Sequence, residues 1–150
     1  MRTRPKVVLG VLYNVSRDFE SAAEAFAAAA ASSPRDYSLW NKLGATLANS
    51  QRSSEALGAY HKALAIKPRY ARGWLNLGIS HANLARHGAA VRCYLHTLEL
   101  NPGATHVWSY VRMALGNMDR YELVQAAAKQ DVALLRRDFP AVDEARPEDL

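Results

Sequence analysis

The chain has a single cysteine, Cys93, which excludes an intrachain disulfide and fits a reducing compartment. Lying between Arg92 and Tyr94 in an expected helix, it reads as a packed thiol and not a nucleophile. No apolar run approaches the ~20 residues that span a bilayer, so direct membrane insertion is not expected. The start, Met1-Arg2-Thr3-Arg4-Pro5-Lys6 followed by apolar residues 7–12, imitates a signal peptide. That apolar stretch is short and keeps the register of the later helices, so it reads as part of the first one. There is no Gly-rich phosphate loop, and Ser109 has no His and Asp partners in sequence, so no catalytic activity is expected. His61, His81, His87, His96 and His106 never fall at a ligand spacing with carboxylates, and neither metal nor cofactor is expected. Charge of one sign is not concentrated either. Nineteen basic residues against 14 acidic ones leave +5, scattered along the chain, which argues against nucleic acid as a partner.

What the sequence does have is alanine, few β-branched runs and 49% apolar residues, the balance of an all-helical protein of one domain, or a piece of a larger one. It also has a period. Gly10, Gly44 and Gly78 are 34 residues apart, as are Leu9, Leu43 and Leu77, Ala22, Ala56 and Ala90, Phe26, Tyr60 and Tyr94, and Pro34, Pro68 and Pro102. Trp40 and Trp74 share a position that holds Lys6 in the first copy. The spacing W-x2-L-G, then A-x3-(F/Y), then P resembles the tetratricopeptide repeat, a pair of antiparallel helices A and B. Small residues (the Gly of helix A, the first Ala of helix B) let two backbones approach, large ones fill the flanks, and the Pro stops helix B. One hairpin cannot bury its own apolar face, so the expected fold is an all-α right-handed superhelix of three stacked repeats followed by a C-terminal helical pair.

The register assigns repeats to 1–34, 35–68 and 69–102. Helices are predicted over about 5–14, 19–32, 38–49, 53–66, 72–84 and 88–100, with Pro5 in a first turn and Ser53 as an N-cap. Trp108 continues the register, but Arg112 replaces the Gly and Arg136 the Pro. Residues 103–137 are therefore expected to cap the stack with helices near 105–116 and 120–137, broken at Gly116-Asn117. Residues 138–150, with two prolines and five acids, are expected to be a disordered tail. Because the first copy begins at the chain start with an apolar helix, a fragment of a longer array is expected. Self-association through that exposed first repeat is a further expectation.

Helices A of this repeat line a concave groove. The second copy offers Ser38, Asn41, Lys42, Ala45 and Asn49 to it, the third Arg72, Leu75, Asn76, Ile79 and Asn83. An asparagine amide both donates and accepts, so a row of them can pair with the backbone of an extended peptide. Lys42 and Arg72 suit a carboxylate. The expected ligand is an extended peptide with a free C-terminus.

Segments 36–49 (DYSLWNKLGATLAN) and 69–83 (RYARGWLNLGISHAN) resemble the last repeats of the peroxisomal targeting-signal-1 receptor family. Members of that family bind C-terminal Ser-Lys-Leu-type tripeptides in the cytosol and deliver cargo to peroxisomes or glycosomes, such signals being addresses read by a receptor. The resemblance implies that Asn41, Asn49, Asn76 and Asn83 hold the signal's backbone. It implies that Arg72, with Lys42, steers the terminal carboxylate, that Ala45 borders the side-chain pocket, and that Ser109 after Trp108 reaches the groove. It further implies a cytoplasmic protein that cycles to the peroxisomal membrane and meets docking proteins through regions outside this chain. The earlier repeats that supply the other half of the family's groove are absent from the sequence. Two other readings fit the same faces: a co-chaperone-type module that clamps the C-terminal carboxylate of a heat-shock protein, and a general assembly scaffold.

Overall fold

In the computed structural model, which describes residues 3–150, the chain is helical with short connections. The first two residues of the expected first repeat, and the start of the signal-peptide-like stretch, lie outside the described residues. The chain divides into two compact units, residues 1–68 and 69–150.

The first unit holds two hairpins, α1 (Thr3–Val15) with α2 (Phe19–Ser32) and α3 (Tyr37–Asn49) with α4 (Ser53–Ile66). Aspartates start two of these helices. Asp18 accepts from the Ser21 amide at 3.2 Å, and Asp36 accepts from the Ser38 amide at 3.0 Å, each satisfying a donor that the first turn leaves open. Ser53, expected as a cap, is instead the first residue of α4 and is buried; the cap position is Arg52, whose guanidinium pairs with Glu20 and Glu55. Pro5 sits in the first turn of α1, where its missing N–H costs nothing.

The second unit opens with the hairpin α5 (Ala71–Asn83) and α6 (His87–Leu100), continues with α7 (Val107–Asn117) and α8 (Tyr121–Ala128), and ends with the single turn α9 (Val132–Leu135) and a 3-10 turn at Pro147–Asp149. Its core runs from Val91, Leu95 and Leu98 of α6 through Val107, Trp108, Val111 and Leu115 of α7 to Leu123, Leu135 and Phe139.

Each of the three full hairpins closes on the same contact. A Cβ placed on Gly10 would lie 2.8 Å from the Phe26 ring, one on Gly44 2.5 Å from Tyr60, and one on Gly78 2.7 Å from Tyr94. The glycine is required by close approach, not by backbone conformation. In the fourth hairpin Arg112 takes the glycine's place and Ala128 the aromatic's, and both are exposed. The bulk has moved out of the seam to solvent.

The elbows within hairpins are equally regular. Arg17, Gln51, Ala85 and Asp119 have φ of 65, 62, 60 and 58°, and they too stand 34 residues apart. Behind each, an amide bonds back to a helix A carbonyl: Asp18 to Tyr13, Arg52 to Leu47 and Arg86 to His81 at 2.8 Å, and Arg120 to Leu115 at 2.9 Å. This is the left-handed helix ending that glycine normally fills, built here without glycine. The α7 elbow therefore falls at Asp119, and Gly116-Asn117, expected to be the break, is the end of the helix proper. The same turn recurs at Gln130 (φ 56°), where the Asp131 amide bonds to the Ala126 carbonyl at 2.8 Å. It ends α8 at Ala128, so the helix expected over 120–137 is two pieces.

The tail differs most from expectation. Residues 138–150 are not a free acidic end; they return along α6. Arg92 donates from Nε to the Pro140 carbonyl at 2.8 Å and from an Nη to the Ala141 carbonyl at 3.0 Å. Glu144 lies 3.0 Å from Arg69 and 2.9 Å from Nε2 of His96, and Arg136 donates to Glu99 at 2.7 Å. His96 is 7% exposed, with its ring edge against Trp74 at 4.8 Å and 79°. Burial holds its pKa below the ordinary imidazole value, against the opposing pull of Glu144 and Glu99.

Two measurements check this packing. Gly78→Ala should destabilise the fold by about 1–3 kcal/mol, since the neighbour is a caged ring. Ala85→Gly should stabilise it by about 1 kcal/mol by relieving a left-handed non-glycine residue; urea titrations read both. An imidazole kept below its unfolded pKa of about 6.5 leaves the unfolded chain with more bound protons near that pH. Stability should then be level above pH 7 and fall as pH drops through about 6.5, with a shallower fall in His96→Gln.

Candidate functional site

Helix geometry alone sorts the polar residues of helices A. Residues at i, i+4, i+7 and i+11 share a face, so Arg72, Asn76, Ile79 and Asn83 form one stripe down α5. Arg72 and Asn83 are exposed, while Asn76 and Ile79 are half-buried. On α3, Lys42 and Asn49 are exposed and Ala45 is half-buried between them. Asn41 departs from the expectation of a presented amide: it is only 7% exposed. The backbone beneath this α3 stripe is tied to α1 by a pair of side chains, because Asn14 donates its Nδ2 to Thr46 Oγ1 at 3.0 Å and Thr46 is fully buried. Asn41, Lys42, Ala45 and Asn49 belong to the first unit, and Arg72, Asn76, Asn83 and Ser109 to the second.

Within the second unit the C-terminal end of the α5 stripe comes near α7. Ile79 and Asn83 from α5, Tyr110, Met113 and Asn117 from α7, and Tyr94 of α6 line an open concavity of about 150 Å³. The Tyr94 and Tyr110 rings lie 5.7 Å apart, tilted by 32°. Desolvation pushes the Tyr94 hydroxyl pKa up, which keeps the phenol neutral. Ser109 is exposed on α7, and its hydroxyl donates to the His106 carbonyl at 2.7 Å, inside its own first turn; its oxygen remains able to accept. Asn117 was missed by sequence reasoning, which treated Gly116-Asn117 as a turn. The signal was available, because Asn49, Asn83 and Asn117 keep the 34-residue interval.

The chemistry of these faces is amide and guanidinium pairing beside apolar walls. Cys93 is fully buried, and desolvation pushes its thiol pKa well up, so it stays a protonated packing group behind Gly78. Among the described residues no group of three or more His, Cys, Asp or Glu side chains could hold a metal ion. Among them, too, no helix is long and apolar enough to cross a membrane. On α1, Val8 and Leu12 are each 58% exposed and Val15 is 78% exposed, an apolar face where α3 and α5 carry polar residues.

Comparison with known proteins fits the geometry. Residues 71–103 match the family described as tetratricopeptide repeat. A stretch of 54 residues, 36% of the chain, is 63% identical to the peroxisomal targeting signal 1 receptor of Dictyostelium discoideum. A stretch of 47 residues, 31% of the chain, is 60% identical to the human PEX5-related protein. Each match spans 8% of the relative's length. Among solved structures, MamA superposes with a TM-score of 0.76 at 20% identity, covering 91% of this chain and 78% of that one. The first repeat domain of Spaghetti (RPAP3) bound to an HSP90 peptide superposes with a TM-score of 0.74 at 15% identity, covering 78% and 93%. The fold is the all-α tetratricopeptide-repeat fold, and the chain carries partial homology to peroxisomal targeting signal 1 receptors.

Proposed function

We propose that this chain is a peptide-binding module that recognises C-terminal Ser-Lys-Leu-type peroxisomal targeting signals, as part of a receptor for matrix protein import. The observation that carries the reading is the local identity of 63% over 54 residues to a receptor of that name, in a chain whose helices A bear amides at regular intervals. Asn76 and Asn83 on α5, and Asn49 on α3, pair with the signal's backbone, each amide offering a donor and an acceptor. Arg72 on α5 and Lys42 on α3 are exposed cations suited to the terminal carboxylate. Ala45 leaves room beside Lys42 for a small side chain. Asn41, the most buried of the set, braces α3 and offers one edge of its amide. Ser109 contributes an acceptor at the start of α7.

In this reading the module works in the cytosol and travels to the peroxisomal membrane with its cargo. It meets docking proteins there through regions outside this chain. The module binds and does not catalyse.

The test is a titration of the full chain with a Ser-Lys-Leu-terminated peptide as free acid and as amide, followed by amide and side-chain NMR shifts. Shifts of Asn76, Asn83 and Arg72 with the acid, and weaker ones with the amide, are the expected result. Asn76→Ala should weaken binding by about 1–3 kcal/mol with the helical content unchanged. A peptide ending in Glu-Glu-Val-Asp that bound more tightly than Ser-Lys-Leu would replace this reading with the heat-shock-peptide one. No shift with either peptide at millimolar concentration would sink both.

A further inference from the structure

Residues 140–150 lie on the second unit as a bound peptide would, and side chains of the helices supply the contacts. Arg92 of α6 donates from Nε to the Pro140 carbonyl and from an Nη to the Ala141 carbonyl, so one guanidinium holds two successive backbone acceptors. Arg136, just after α9, donates to the Phe139 carbonyl at 3.1 Å while also holding Glu99. The segment then turns. The Arg146 amide bonds to the Asp143 carbonyl at 3.0 Å, and the Asp143 carboxylate accepts from the Ala145 amide at 2.9 Å. An aspartate braces its own turn in this way, and here the turn delivers Glu144. One Glu144 oxygen lies 3.0 Å from Arg69 and 2.9 Å from Nε2 of His96, a ring only 7% exposed.

The attachment is polar and shallow. Among the described residues of 140–150, Pro147 alone is buried, and the Arg69 side chain is 69% exposed. Ion pairs that water reaches add little net stability and are screened by salt. What selects this segment is charge: four acids and one cation lie over Arg69, Arg92, Arg136 and His96. A second segment of the same chemistry would compete for the same groups. The tail holds the advantage of being tethered, which gives it a high effective concentration.

We propose that Arg69, Arg92, Arg136 and His96 form a second peptide-docking site, kept covered by the chain's own tail. Its ligand is an acidic turn segment of a partner protein: two successive carbonyls for the Arg92 fork, then an Asp-Glu turn for His96 and Arg69. The site does not depend on the targeting-signal reading, because none of its residues serves the signal there. Its occupancy is set by competition between the tail and the partner.

The experiment is fluorescence polarisation of the full chain with a labelled peptide of residues 140–150. The peptide is amidated at its C-terminus, so it offers Arg72 no terminal carboxylate. The native chain should bind it weakly, because the tail occupies the site. Glu144→Lys sets a cation against Arg69 and His96, which frees the tail and leaves the site's own side chains in place. The peptide should then bind ~10-fold more tightly, the scale of one charge-assisted hydrogen bond. Release of the tail is read separately, as faster hydrogen exchange at the amides of residues 141–146. Adding Arg92→Gln to that variant should remove the gain, and so should Glu144→Gln in the peptide. Equal affinity for the native chain and Glu144→Lys overturns the site. So does a gain that survives Arg92→Gln, or a tail that stays protected in Glu144→Lys. Each of these results leaves the receptor reading standing, since that reading rests on helices A and Ser109.

Discussion

Every full hairpin in this protein depends on a ring packed against a backbone that has no side chain. Phe26, Tyr60 and Tyr94 each occupy the space where a Cβ of Gly10, Gly44 or Gly78 would stand. The ring is then both the filler between two helices and the spacer that fixes their separation. The polar stripes inherit their alignment from this seam. Asn76 and Asn83 stand where they do because Gly78, between them in sequence, is pressed onto Tyr94 and fixes how α5 is rotated.

The fourth hairpin gives up that contact and is built differently. Arg112 and Ala128 exchange the small and large roles and leave both groups in water. α8 is eight residues long where the other second helices have fourteen. The elbow at Asp119 nevertheless keeps the 34-residue register, so the turn geometry survives after the seam is lost. Stability in this region comes from a different source, the aliphatic core around Val111, Leu115 and Leu135, closed by Phe139.

Most of the architecture was legible because it is written in residue size at a fixed interval. The six repeat helices fall within one or two residues of the predicted ends at most termini. The parts that were not legible share a physical reason. Left-handed elbows at Arg17, Gln51, Ala85 and Asp119 carry no glycine, so composition gives no turn signal there; the strain is held by back-bonded amides. The tail reads as disordered because its partners are remote: Glu144 meets Arg69, 75 residues earlier, and Arg92 reaches carbonyls 48 and 49 residues on. Of the expected binding residues, Lys42, Asn49, Arg72 and Asn83 are exposed as the helical period requires. The burial of Asn41 was not predictable from spacing, since burial depends on what packs over a position. Asn117 was obscured by a dipeptide that usually marks a turn.

The returning tail also gives the protein an optical reporter of its own. Trp74 is fully buried with the His96 ring edge 4.8 Å away, and His96 in turn sits beneath Glu144 of the tail. Detaching residues 138–150 would admit water to His96 and change the polarity next to that indole. Emission from Trp74 would then track tail attachment without a label.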